Sequence, residues 1–106
     1  MQLGLLGAGL QGQACVFDWL RQSDVRGIRV LDASEEQLAL FRERFVDERL
    51  SFRRVDAGDH EKLRESIAGC DALLSAVPYF LNLAVTRAAI EARVPMVDLG
   101  GNTDVV

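Results

Sequence analysis

Three glycines, Gly7, Gly9 and Gly12, stand at the spacing GxGxxG between a short apolar run, "QLGLL" at 2–6, and an amphipathic stretch over 10–22. Each glycine inside a helix costs about 1 kcal/mol against alanine, so three of them at a helix start call for a physical reason. A strand turning sharply into a helix supplies one. Gly7 permits a turn that a Cβ obstructs, Gly9 lets backbone approach a pyrophosphate, and Gly12 lets the helix pack closely on the sheet. The amides of Leu10, Gln11 and Gly12 then point outward from the helix N-terminus, backed by about half a positive charge.

Apolar runs and helical runs alternate along the rest of the chain, without repeats, low-complexity tracts or linkers. In the first helix, Ala14, Cys15, Phe17, Trp19 and Leu20 supply the apolar surface around polar Gln13, Asp18 and Arg21. "IRVL" at 28–31 reads as a second strand, followed by "ASEEQLALFRERF", where Ser34 and Gln37 form a capping box and Leu38, Phe41 and Phe45 recur at helical spacing. "SFRRVDA" at 51–57 is a strand poor in apolar residues, suited to one edge of a sheet. Asp59 caps a short helix that carries Leu63 and Ile67 and stops at Gly69. "DALLSA" at 71–76 has the look of a buried parallel strand. After Pro78 comes a long helix, "YFLNLAVTRAAIEAR", which Val94 before Pro95 must end, and then a last strand, "PMVDL".

Five strands alternating with four helices predict a doubly wound parallel sheet, a Rossmann fold, in the order 3-2-1-4-5. All 106 residues form one dinucleotide-binding domain on this reading. A full dinucleotide fold adds a sixth strand and a substrate domain, so the expectation is a piece of a longer enzyme, truncated before both. Phe41, Phe45, Trp19 and Phe80 are expected in the core, and His60 in solvent without a partner.

The net charge of −4 provides no basic field for nucleic acid or an anionic membrane. A phosphate must then be held by backbone rather than by Lys or Arg. Cys15 and Cys70 share no metal-ligand spacing and read as reduced, structural thiols, and no metal site is expected. No stretch approaches the ~18 apolar residues of a membrane span. A cytoplasmic protein is the simplest expectation.

Asp32 ends the second strand twenty residues after Gly12. A carboxylate there accepts the ribose hydroxyls of an adenosine and repels a 2′-phosphate, which favours NAD. Ala33 and Ser34 bring no positive charge to reverse that preference, and Ser34, though claimed by capping, can also reach the ribose. Arg53 and Arg54 keep NADP as the alternative. Asp56 is placed either to meet the adenine amino group or to cap the next helix. Ala76, Val77 and Pro78 leave the fourth strand at the switch-point crevice, where the nicotinamide half would lie. Tyr79 and Asn82 are polar groups near the same crevice.

The stretches "GAGLQGQA", "VDAGDHEKL" and "SAVPYFLNLAVTRAAIEARVPMVDLGGNTDVV" together resemble the N-terminal cofactor domain of the saccharopine dehydrogenase family, including its lysine 6-dehydrogenase-like members. The resemblance covers the chain in order, and "PYFLNL" and "DLGGNTDVV" are its more specific parts. It implies NAD(P) binding, with an amino-acid substrate held by a following domain for oxidation at a carbon–nitrogen bond. It places Gly7, Gly9, Leu10, Gln11, Gly12 and Asp32 on the dinucleotide, Asp56 and Ala57 near adenine, and Ala76, Val77 and Pro78 near the nicotinamide ribose. Asp98, Gly100, Gly101 and Asn102 fall where the family's active-site crevice begins. The chain alone is expected to bind cofactor without turnover, because it offers no assignable general acid or base.

Two other readings compete. A nucleotide-sensing regulatory domain also carries GxGxxG, a strand-two acid and a turn like "DAGD" at 56–59, but lacks "AVPYF" and "GGNTDVV". A methyltransferase-like domain for S-adenosylmethionine accommodates the strand-two carboxylate and not the third glycine. The open edge at "MVDL" further predicts a homodimer in concentrated solution.

Overall fold

The computed structural model describes residues 1–98. Its elements run β1 (Gln2–Leu6), α1 (Leu10–Trp19), β2 (Gly27–Asp32), α2 (Glu35–Arg44), β3 (Leu50–Arg54), α3 (His60–Ile67), β4 (Ala72–Ser75), a 3₁₀ turn (Tyr79–Leu81), α4 (Asn82–Ala92) and β5 (Met96–Asp98). The strands form one sheet ordered β3-β2-β1-β4-β5, every pairing parallel. This is the doubly wound arrangement read from the sequence.

Side chains alternate across each strand, and the alternation builds two cores. Leu3 and Leu5 of β1, with Ile28 and Val30 of β2, pack beneath α1 and α2 on Val16, Leu38 and Phe41. Leu6 and Leu31 face the other way, onto Leu63 and Ile67 of α3 and Val85, Ala88 and Ala89 of α4. Both faces of the central strands are covered, which is why β1 reads as a nearly continuous apolar run.

Local signals set most boundaries. Ser34 Oγ accepts from the Gln37 amide at 3.2 Å, and Asp59 Oδ1 accepts from the Lys62 amide at 3.2 Å, so both helices start at the predicted caps. Gly69, at φ +85°, follows the end of α3. The long fourth helix begins as a 3₁₀ turn and ends at Arg93, which takes the left-handed conformation at φ 59° just before Val94 and Pro95.

Four side-chain expectations change. In α1 the buried face is Gly12, Gln13 and Val16, whereas Ala14 and Phe17 are exposed. Gln13 is tolerated inside because its amide donates to Ala8 O at 3.2 Å and its oxygen accepts from Arg44 at 3.1 Å. Phe80 is exposed rather than core, because the 3₁₀ turn sets it off the buried stripe of α4. Phe41 is fully buried, while Phe45 and Trp19 are only partly so and pack at the margin of the same core. His60 is partnered: its Nε2 lies 2.9 Å from Glu91 Oε2, joining α3 to α4.

Candidate functional site

The site lies at the carboxyl ends of the strands. Gly7, at φ +107°, turns the chain out of β1, and its amide donates to Leu31 O at 2.7 Å. A Cβ there would stand 2.8 Å from Ala76 O, so only glycine allows the turn to pass between β2 and β4. A Cβ on Gly12 would collide with Gly7 O and press on the Leu5 side chain, which fixes how near α1 sits to the sheet. At Gly9 the reverse holds: a Cβ would meet nothing within 4 Å. The space over Gly9 is therefore open crevice, and bare main chain faces it.

Gly9 is the N-cap of α1, and no side chain caps the helix or places an acid in its first turn. The amides of Leu10, Gln11 and Gly12 are thus left without the usual capping partner, at the positive end of the helix dipole. Leu10 and Gln11 are themselves exposed.

Asp32 organises the other side of the turn. Its Oδ2 accepts from the Ala8 amide at 2.7 Å and its Oδ1 from the Ser34 amide at 2.8 Å. One carboxylate therefore ties the glycine turn to the start of α2, with further lone pairs left on both oxygens. Asp56 Oδ1 accepts from the Gly58 amide at 2.8 Å, closing an Asx turn, so it shapes its own loop and caps no helix; Asp59 alone caps α3.

Gly7, Gly9, Asp32, Ala33, Asp56, Ala57, Ala76, Val77 and Pro78 line one crevice of about 290 Å³. That volume is at the small end of ordinary ligand sites, enough for part of a dinucleotide in a groove open to solvent. Leu6, Gln37, Val55 and Leu81 complete the lining and were not singled out from the sequence. Gln37 follows the Ser34 cap by three residues, so it serves the start of α2 and also reaches the crevice. Leu10, Gln11 and Gly12 sit at the helix mouth, and Ser34 is held as the N-cap of α2. Asn82 is not among the lining residues; its Oδ1 accepts from Ser75 Oγ at 3.1 Å. Asp98 ends β5 in register with Ser75 and is not among the lining residues. Gly100, Gly101 and Asn102 lie outside the described residues. Among the described residues no cluster of His, Cys, Asp and Glu could hold a metal, and no helix is long and apolar enough to cross a membrane.

The thiols stand apart from this site. Burial raises the Cys70 thiol above its ordinary range, with Asp71 adding to the effect and Arg29 opposing it; partial burial and then Asp18 raise Cys15. Both are free and held as neutral thiols, not as nucleophiles.

A parallel doubly wound sheet, a glycine turn into an uncapped helix and a carboxylate closing β2 define a dinucleotide-binding domain. The chain matches the saccharopine dehydrogenase NADP binding domain over residues 3–105, and it belongs to that family. Among solved structures it is similar to saccharopine dehydrogenase (L-Glu forming) from Saccharomyces cerevisiae, at 20% identity and TM-score 0.79 over 92% of this chain and 21% of that one. It is also similar to Pen from Bacillus thuringiensis, at 19% identity and TM-score 0.81 over 92% of this chain and 36% of that one. A short-chain dehydrogenase/reductase from Veillonella parvula in complex with NADP matches at 13% identity and TM-score 0.73, over 92% of this chain and 46% of that one. These likenesses establish the fold. The chain spans less than half the length of each.

Proposed function

We propose that this chain is the NAD(P)-binding part of an oxidoreductase that acts at a carbon–nitrogen bond of an amino acid, the substrate being held by a further domain. The observation that carries the proposal is the uncapped N-terminus of α1, facing open space over Gly9 and continuous with the crevice that reaches Asp32 and Pro78. A diphosphate fits there. Main-chain amides at Leu10, Gln11 and Gly12 supply donors and dipole.

On this reading the adenosine lies over Ala33, Asp56 and Ala57, its ribose hydroxyls on the remaining lone pairs of Asp32, with Ser34 beside them. The nicotinamide half lies toward Ala76, Val77 and Pro78. The bound nicotinamide supplies hydride transfer. This chain's residues bind it, orient it and narrow its surroundings with apolar groups. Asp32 favours NAD in this scheme. Membership of a family whose domain is described as NADP binding supports the dinucleotide and leaves the amino-acid substrate as the proposed part.

Calorimetric titration with NAD(H) and NADP(H) tests the cofactor assignment. The chain should bind, and Asp32→Ala should weaken NAD and narrow the gap to NADP. Absence of binding to either would defeat the assignment. The chain should also fail to oxidise lysine or saccharopine alone; turnover by the purified chain would contradict the proposed division of labour between domains.

The β5 edge adds a proposal about assembly. Among the described residues β5 pairs with β4 on one side, and Val97 is 63% exposed on it. A strand edge left unpaired favours pairing between copies, so on this proposal sedimentation at rising concentration should show dimers. A monomer throughout would overturn this.

A further inference from the structure

Ala8, in the middle of the glycine turn, is gripped at both of its polar atoms. Its amide donates to Asp32 Oδ2 at 2.7 Å, and its oxygen accepts from Gln13 Nε2 at 3.2 Å. Both Ala8 and Gln13 are buried. Gln13 is in turn held from α2, where its Oε1 accepts from Arg44 Nη1 at 3.1 Å. Turning the Gln13 amide over would set donor against donor at Arg44 and acceptor against acceptor at Ala8, so its orientation is fixed.

In a planar trans peptide the C=O and the following N–H point in opposite directions. With the Ala8 oxygen drawn inward to Gln13, the Gly9 N–H is aimed the other way. Among the described residues no protein group accepts from it. Gly12, at the third position of α1, has no side chain to reach back to that amide as a capping box would. Nor does the backbone of Gly9 hold the direction by itself. Turning the Ala8–Gly9 peptide over would carry Gly9 from φ −76° to a positive φ, which glycine tolerates. The strut from Gln13 therefore decides which way the amide faces.

Resting on the reading of the crevice as a dinucleotide site, we infer that Gln13 is a positioning residue for the diphosphate, holding the Gly9 amide toward a phosphate oxygen, with Arg44 setting the orientation of Gln13. The cradle then includes Gly9 beside Leu10, Gln11 and Gly12, and its shape is governed by two side chains that do not touch the ligand. A neutral amide suits the place, because it donates to Ala8 and accepts from Arg44 without adding charge beneath an anion.

The test is a chemical-shift titration of the isotope-labelled chain with ADP, which carries a diphosphate, and with adenosine, which lacks one. In the parent chain, ADP should move the Gly9 amide resonance together with those of Leu10 and Gln11. Gln13→Met keeps the volume and removes both polar contacts. It should weaken ADP by about tenfold, the scale of one hydrogen bond to a charged group, while adenosine changes by less than about twofold. Arg44→Met, at an exposed position of α2, should weaken ADP by about threefold, with Arg44→Lys recovering part of the loss, and it serves as the test if Gln13→Met does not fold. Thermal midpoints are measured for each variant and titrations run well below them. A strut that served stability alone would lower the midpoint and leave the ratio of ADP to adenosine affinity unchanged, which would overturn the inference. Full ADP affinity in folded Gln13→Met or Arg44→Met would also overturn it, as would a Gly9 amide that ADP does not move. If the parent chain binds neither ADP nor a dinucleotide, the crevice assignment itself falls, and this one with it.

Discussion

The two ends of the sheet use the same kinds of groups to opposite effect. At the amino end, exposed main-chain atoms are tied off: the Arg49 guanidinium donates to Leu20 O at 2.7 Å, Val25 O at 3.1 Å and Gln22 O at 3.3 Å, closing the turn after α1. Asp47 holds that guanidinium in place, with Nη2 to Oδ2 at 3.0 Å and Nε to Oδ1 at 3.1 Å. The Met1 ammonium donates to Asp24 O, and the Gln2 amide to Asp71 Oδ2, each at 2.7 Å. At the carboxyl end, the N-terminus of α1 has no cap, and open space lies over Gly9. An uncapped helix N-terminus beside an open crevice is the feature on which the proposed binding end rests.

The most drastic way to break this contrast is Gly12→Val, which drives a side chain into Gly7 O and Leu5 and should destabilise the domain by about 3 kcal/mol in urea unfolding, taking nucleotide binding with it. Gly9→Val separates the two properties. Nothing stands within 4 Å of the new Cβ, so unfolding should shift by no more than about 1 kcal/mol, the scale of a changed N-cap. Affinity for NAD⁺ should nevertheless fall by at least about tenfold, because the side chain occupies the diphosphate's place. A Gly9→Val chain with full affinity would remove the amide cradle from consideration.

Arg49→Ala probes the opposite end. It should lower the thermal midpoint and leave nucleotide affinity unchanged; loss of binding in a folded variant would show that the ends are coupled. A smaller, pH-dependent effect comes from Asp47, whose carboxyl is held below the ordinary carboxylate range by hydrogen bonds from the Arg49 side chain and amide. A carboxyl with a depressed folded value contributes stability above its unfolded value and loses it as pH falls through the folded one. The advantage of the parent chain over Asp47→Asn should therefore be present at neutral pH and close in acid below the usual carboxylate range. A gap unchanged in strong acid would place the effect elsewhere.

The sheet order, the steric roles of Gly7 and Gly12 and the caps at Ser34 and Asp59 were legible because each follows from the residue and its close neighbours in sequence. The first glycine, for instance, needs only a strand before it and a helix after it. What escaped depends on partners remote in sequence. Gln13 looks like a surface residue until Arg44 and Ala8 are brought to it. Phe80 belongs to an apolar pattern that the 3₁₀ turn rotates outward. His60 gains Glu91 only when α3 packs on α4. The difference between Arg53 and Arg54 is one step of strand pleat, visible only once β3 is registered against β2.

Asp32 grips the amide of Ala8 with one oxygen and that of Ser34 with the other. Any attempt to redirect cofactor choice by replacing it would also slacken the glycine turn, trading overall nucleotide affinity for selectivity. On the proposed reading, a change of charge at Asp32 cannot be separated from a change in the turn itself.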